Sequence, residues 1–147
     1  MLTKKLLLSS MITCVLILSL TVSVEADSST WNQTYGGPEV DWATSLITTS
    51  DGGYAITGVT LSFGNGQDVW LVKTDANGNV EWNKTYGGLD SDWAWSVIQT
   101  SDDGYAMLGI TTQLDDDLLL IKTDSSGNME WNKTYAIQNQ QTIISIL

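Results

Sequence analysis

From residue 42 to residue 135, apolar and polar positions fall into short runs broken by Gly, Asn and Asp. No run sustains the 3.6-residue period of an amphipathic helix. The runs instead predict strands. Residues 42–50 (WATSLITTS) and 54–62 (YAITGVTLS) flank Asp51-Gly52-Gly53, a pair of strands joined by a two-residue hairpin turn in which a glycine takes positive φ. Residues 69–75 (VWLVKTD) begin as an almost unbroken apolar run, as a strand buried on both faces does. The Asn-Gly of residues 76–79 (ANGN) turns the chain again, and residues 80–86 (VEWNKTY) close a four-stranded antiparallel unit.

The same scheme then repeats. Residues 93–101, 105–113, 118–124 and 129–135 read WAWSVIQTS, YAMLGITTQ, LLLIKTD and MEWNKTY. Trp31 recurs as Trp82 and Trp131, at intervals of 51 and 49 residues. Residues 31–60 and 82–111 align without a gap and share 19 of 30 positions. The difference in length falls between LSFGNGQD and TQLDDD, which marks that segment as a loop. Tandem units of about 50 residues with four strands each are the pattern of β-propeller blades. The expected architecture is all-β and propeller-like but incomplete. A leading outer strand and crossing (residues 27–41) precede two complete blades (42–86 and 87–135), and residues 136–147 form a divergent or truncated start of a third unit. In this reading Trp31, Trp82 and Trp131 pack against neighbouring blades. Gly36-Gly37 and Gly87-Gly88 carry the crossings, and the turns use Asp51, Gly52, Gly53, Gly78, Gly104 and Gly127.

Residues 1–26 stand apart. Lys4 and Lys5 precede an uncharged stretch from residue 6 to residue 24, and Val24-Glu25-Ala26 supplies a small-residue cleavage signature, so a signal peptide ending at Ala26 is expected. The protein is then secreted or held at the cell surface, without membrane insertion after cleavage. The sole cysteine, Cys14, lies inside this leader, and the chain has no histidine. Disulfides, thiol or Ser-His catalysis and imidazole or thiolate metal sites are therefore excluded beyond residue 26. That part carries four lysines against sixteen acids, a net charge of −12, and no arginine. Such a surface repels nucleic acid.

The segments DANGNVEW and DSSGNMEW resemble the tryptophan-docking segment of quinoprotein-type propellers, with a spacing one residue tighter. The whole unit, from DGGYAITG to EWNKTYGG, is similar to β-propeller repeats of secreted bacterial and archaeal surface proteins. That resemblance covers residues 31–135 and implies a fold more than an activity.

Chemistry is sparse. Asn32, Asn83 and Asn132 head N-glycosylation sequons, one per repeat. TSDGGY and TSDDGY partly match the Asp-box of sialidase propellers, itself a hairpin staple. Asp115–Asp117 and the DANGN loop carry oxygens of the kind calcium takes, but without the spaced acids and distal Glu of a calcium loop, so no metal site is assigned. Trp70 and Trp95 stand where the other repeat has Leu119 and Thr44. Positions that vary in this way are expected to carry exposed aromatics, available to a protein or a sugar ring. No catalytic residue and no cofactor is assigned. The expected function is a non-catalytic interaction module, its partners being further blades, another copy of the chain, an extracellular protein or a glycan. An enzymatic propeller domain and a structural spacer are the alternatives.

Overall fold

The computed structural model describes residues 30–112 and 116–136. The proposed signal peptide, Cys14, Asp115 and the divergent segment beyond Ala136 lie outside them. Eight strands follow in chain order: β1 (Asp41–Thr48), β2 (Tyr54–Thr60), β3 (Asp68–Thr74), β4 (Val80–Tyr86), β5 (Asp92–Gln99), β6 (Tyr105–Thr111), β7 (Asp117–Thr123) and β8 (Met129–Tyr135). They form two four-stranded antiparallel sheets, each a simple meander, in the orders β1-β2-β3-β4 and β5-β6-β7-β8. β3 is buried along its whole length, as its apolar run predicts. No helix among the described residues is long and apolar enough to cross a membrane.

Two expectations need correction. The β1–β2 connection is longer than a two-residue turn. Gly52 N donates to Thr49 O at 2.9 Å, closing a turn over residues 49–52, and Gly52 then takes φ +85° before the ladder resumes. This is a turn followed by one left-handed residue, a geometry that needs positive φ only once. Gly53 is required for space instead, because a Cβ there would meet Thr74 O at 2.1 Å. The second correction concerns the leading segment, which joins no ladder through residue 40. Its alternation resembles that of β4 and β8, but β1 and β4 are the edges of the first sheet and the segment pairs with neither. Side chains anchor it instead.

The two sheets pack face to face. Ala55, Val69, Leu71 and Tyr86 of the first sheet meet Ala94, Val97, Tyr105, Met107, Leu119 and Ile121 of the second in one buried cluster. Both sheets carry a bulge in the first strand, between Ala43 and Ser45 and between Ala94 and Ser96. A bulge re-aims the extra side chain. In the first sheet it sends the Thr44 hydroxyl to Ala94 O, 2.7 Å away in β5.

Candidate functional site

The repeated phrase has two halves, and the structure gives each a separate role. In the turns after β3 and β7, Asp75 and Asp124 each accept backbone N–H bonds from two and four residues ahead and a side-chain bond from Asn79 or Asn128. These bonds hold both carboxyls below the usual range, the Asn side chain contributing most. Gly78 (φ +80°) and Gly127 (φ +75°) complete the turns. Each glycine also receives a tryptophan from the preceding repeat. A Cβ on Gly127 would lie 2.7 Å from the Trp82 ring, and one on Gly78 would lie 2.5 Å from Trp31. The tyrosine four residues on completes the contact: Tyr86 Oη donates to Gly127 O at 2.7 Å, and Tyr35 Oη to Gly78 O at 2.8 Å. Burial raises both phenols above their ordinary pKa. Trp82 and Trp31 further make edge-on contacts with Tyr105 and Tyr54. The turn is a socket, and Trp-x-x-x-Tyr is the plug for the next socket along the chain.

Lys73 and Lys122 carry a role that pattern reading missed. Lys73 is buried, and its Nζ lies 2.8 Å from Asp51, 2.7 Å from Glu81 and 2.9 Å from Thr74 O. Lys122 repeats the arrangement with Asp102, Glu130 and Thr123 O. Burial opposes the Lys73 charge, but the bonds and charges of Asp51 and Glu81 outweigh it and raise its pKa. Asp51 and Asp102 are held well below the carboxylate range, first by the lysine and then by Thr49 or Thr100. The available signal was the recurrence of a lysine inside an otherwise apolar strand, with the Glu of a Glu-Trp pair eight residues on in both repeats and a hairpin Asp 22 or 20 residues before it.

The plug of β8 has no socket among the described residues. Trp131 is 41% exposed, and Tyr135 is exposed beside it. The register places Ala106, Leu108, Leu120, Lys122, Trp131 and Tyr135 on one face of the second sheet, turned away from the first. Ile98 and Leu108 are exposed on it. At two of these positions the second repeat is more apolar than the first. Leu108 (43% exposed) replaces Thr57 (1%), and Trp95 takes the bulge position of Thr44.

Trp95 is therefore exposed (47%), but Trp70 is not. At 7% exposure Trp70 is core, lying against Phe63 with its Nε1 3.4 Å from Asn83 Oδ1. The reasoning from variability failed here for a physical reason. Leu119 is covered by the neighbouring sheet, whereas Trp70 faces the other way and is covered by the longer loop that carries Phe63.

The remaining candidates lie at sheet edges and at close backbone contacts. Asn32, Asn83 and Asn132 are all exposed, the latter two on the edge strands β4 and β8. Gly87 is needed for space, since its Cβ would lie 2.0 Å from Asp68, while Gly88 has open surroundings. Gly36 and Gly37 pack on Asp41 and Ser62, and Gly104 repeats the position of Gly53 under Thr123 O. A cleft of about 400 Å³ beside Gly87 is lined by Tyr86, Asp92, Leu119, Met129 and Asn132. Burial, and next the nearby Asp92 charge, push the Asp68 carboxyl up. Each acid is already tied to the backbone, Asp68 to Asn65 N at 3.0 Å and Asp92 to Gly88 N at 3.1 Å. Among the described residues no group of three His, Cys, Asp or Glu is placed to hold a metal ion. No protein-family model matches this chain, and no curated protein matches it in sequence.

Proposed function

We propose that this protein is an exported, non-catalytic repeat module of β-propeller type that works by binding another protein through the outward face of its second sheet. The observation that carries the reading is that face itself. Two large apolar side chains, Leu108 and Trp95, stand exposed where the first sheet has Thr57 and Thr44. Contiguous exposed apolar surface of this kind is characteristic of interaction sites. The plug-and-socket contact between successive sheets supports the propeller-type reading, since it joins four-stranded units in tandem. A chain without histidine offers few groups for general acid–base work at neutral pH.

The test is a photo-crosslinking residue placed at Leu108 in the full chain expressed with its leader, with the same residue at exposed Leu89, in the connection between β4 and β5, as control. Crosslinks to protein from position 108 and not from position 89 are expected, in the exported fraction. Absence of any protein crosslink from position 108 sinks the reading. A glycan ligand is the second reading, favoured by the exposed indoles of Trp93 and Trp95 on the edge strand β5. Tryptophan fluorescence that responds to a glycan library and is lost in Trp95→Ala would select it.

A further inference from the structure

The plug on β8 and the socket at Gly78 belong to the same chain but point in opposite directions along it. We infer that β8 of one copy docks into the Gly78 turn of a second copy, displacing that copy's leading segment, so that the chain associates head to tail. This rests on the reading of the second sheet's outer face as an interaction surface and names its partner.

Three features carry it. The first is shape. Residues 31–35 (WNQTY) and 131–135 (WNKTY) differ only at Gln33 and Lys133. A socket that takes Trp31 and Tyr35 therefore has the shape for Trp131 and Tyr135.

The second is charge. At the internal junction the Lys84 stem lies 3.0 Å from the site of a Gly127 Cβ, and its ammonium acts on Asp124. Asp75 holds the matching place in the Gly78 socket, where the leading segment presents the uncharged Gln33 and β8 would present Lys133. In the free chain Lys133 lies over the Trp131 ring, 5.5 Å from its centroid. The exchange puts a cation opposite Asp75 that the resident plug lacks.

The third is the cost of release. The leading segment joins no ladder, so letting it go breaks no strand pairing. β8 is paired to β7 along its length and is presented already ordered. Trp70, which Phe63 covers, pairs with Gly58 four rungs up the β2–β3 ladder from Thr74, so that contact is not at the Gly78 turn.

Such a contact uses different patches on the two copies, so a pair joined once still offers a plug at one end and a socket at the other, and further copies add head to tail into a ring or an open chain. The resident plug competes from a high effective concentration because it is tethered. Weakening it strengthens assembly.

Sedimentation velocity of the full chain over a range of concentrations should show masses that grow with concentration. Trp131→Ala, a change at an exposed side chain, should weaken association roughly thirtyfold with an unchanged thermal midpoint. Trp31→Ala should strengthen it. Lys133→Glu should weaken it about fivefold, whereas Lys133→Arg, which keeps the cation opposite Asp75, should leave it unchanged. Three results overturn the proposal: association unaffected by Trp131→Ala, no gain from Trp31→Ala, or Lys133→Glu no weaker than Lys133→Arg. A monomer in which acrylamide cannot quench Trp131 also overturns it and gives the face to residues 137–147 of the same chain. A monomer that still crosslinks another protein from position 108 overturns self-association and leaves the interaction-module reading standing.

Discussion

Asp103 holds φ +62°, the position where the first sheet has Gly52 at φ +85°. An L side chain in the left-handed region is strained, and Asp tolerates it better than most. The Asp103 carboxylate also accepts a bond from the exposed Ser50 hydroxyl at 3.0 Å. Losing one exposed bond costs little, so Asp103→Gly should stabilise the fold by up to about 1 kcal/mol, read as a raised denaturation midpoint at unchanged m-value. The lysine staples set a pH dependence at the same scale. Asp51 and Asp102 have lowered pKa values in the fold, so their contribution is complete above the unfolded value of about 3.9 and disappears as pH falls toward the folded one. Lys73 and Lys122 have raised values, so theirs holds below about 10.4 and is lost as pH rises through the folded value. Thermal midpoints of the wild type should drop below pH 4, and the Asp51→Asn, Asp102→Asn double variant should show a lower midpoint at pH 7 and a shallower acid limb.

At the level of elements, the β3–β4 and β7–β8 turns are bound by two separate demands. Each glycine supplies positive φ, and each leaves room for an indole. Any side chain meets both penalties, but the second differs between the sites. Trp82 is part of β4, packed on Tyr105 and against the inter-sheet core, and has little room to retreat. Trp31 sits in a segment outside the ladders and can move away. Gly127→Ala should therefore cost about 1–2 kcal/mol for the backbone and a further 1–3 kcal/mol for the overpacked indole. Gly78→Ala should cost only the backbone share. Urea unfolding of the two variants side by side checks the ordering, and equal losses would mean that the Trp82 contact is no tighter than that of Trp31.

For the whole molecule, the balance lies between an apolar face and a strong negative charge. Covering a side chain such as Leu108 or Trp131 is worth roughly 1.5–3 kcal/mol each. Five or so on one face are enough to meet the roughly 4–15 kcal/mol that association costs. A net charge of −12 on residues 27–147 works against any assembly of like copies. Salt screens that repulsion over about 10 Å at 0.1 M, while the apolar term is left intact. Light scattering of the full chain should therefore increase with added NaCl, and Leu108→Lys should lower both scattering and the binding of a dye that reports apolar surface. Scattering that falls with salt would show that charge attraction, not the apolar face, dominates.

The local chemistry of the chain was enough to define its strands, turns and duplication. Alternation and β-branched runs set the strand period, and Asp-x-x-Gly-Asn closes a turn with bonds made inside five residues, so both are legible without neighbours. The all-β character and the two four-stranded meanders follow from the same signals. Which face of each sheet is covered is not a local property. Trp70 and Trp95 look alike in sequence, each a variable aromatic, yet one lies under Phe63 and the other faces outward from a bulge. Lys73 reads as a strand residue with a solvated head until Asp51 and Glu81, 22 and 8 positions away, close around it. The leading segment has the alternation of a strand and no ladder to join, because strand formation needs a partner edge and the pattern supplies only one side. The join between Trp82 and Gly127 likewise exists only once two sheets stack, since each half of the repeated phrase completes a contact begun by a different repeat.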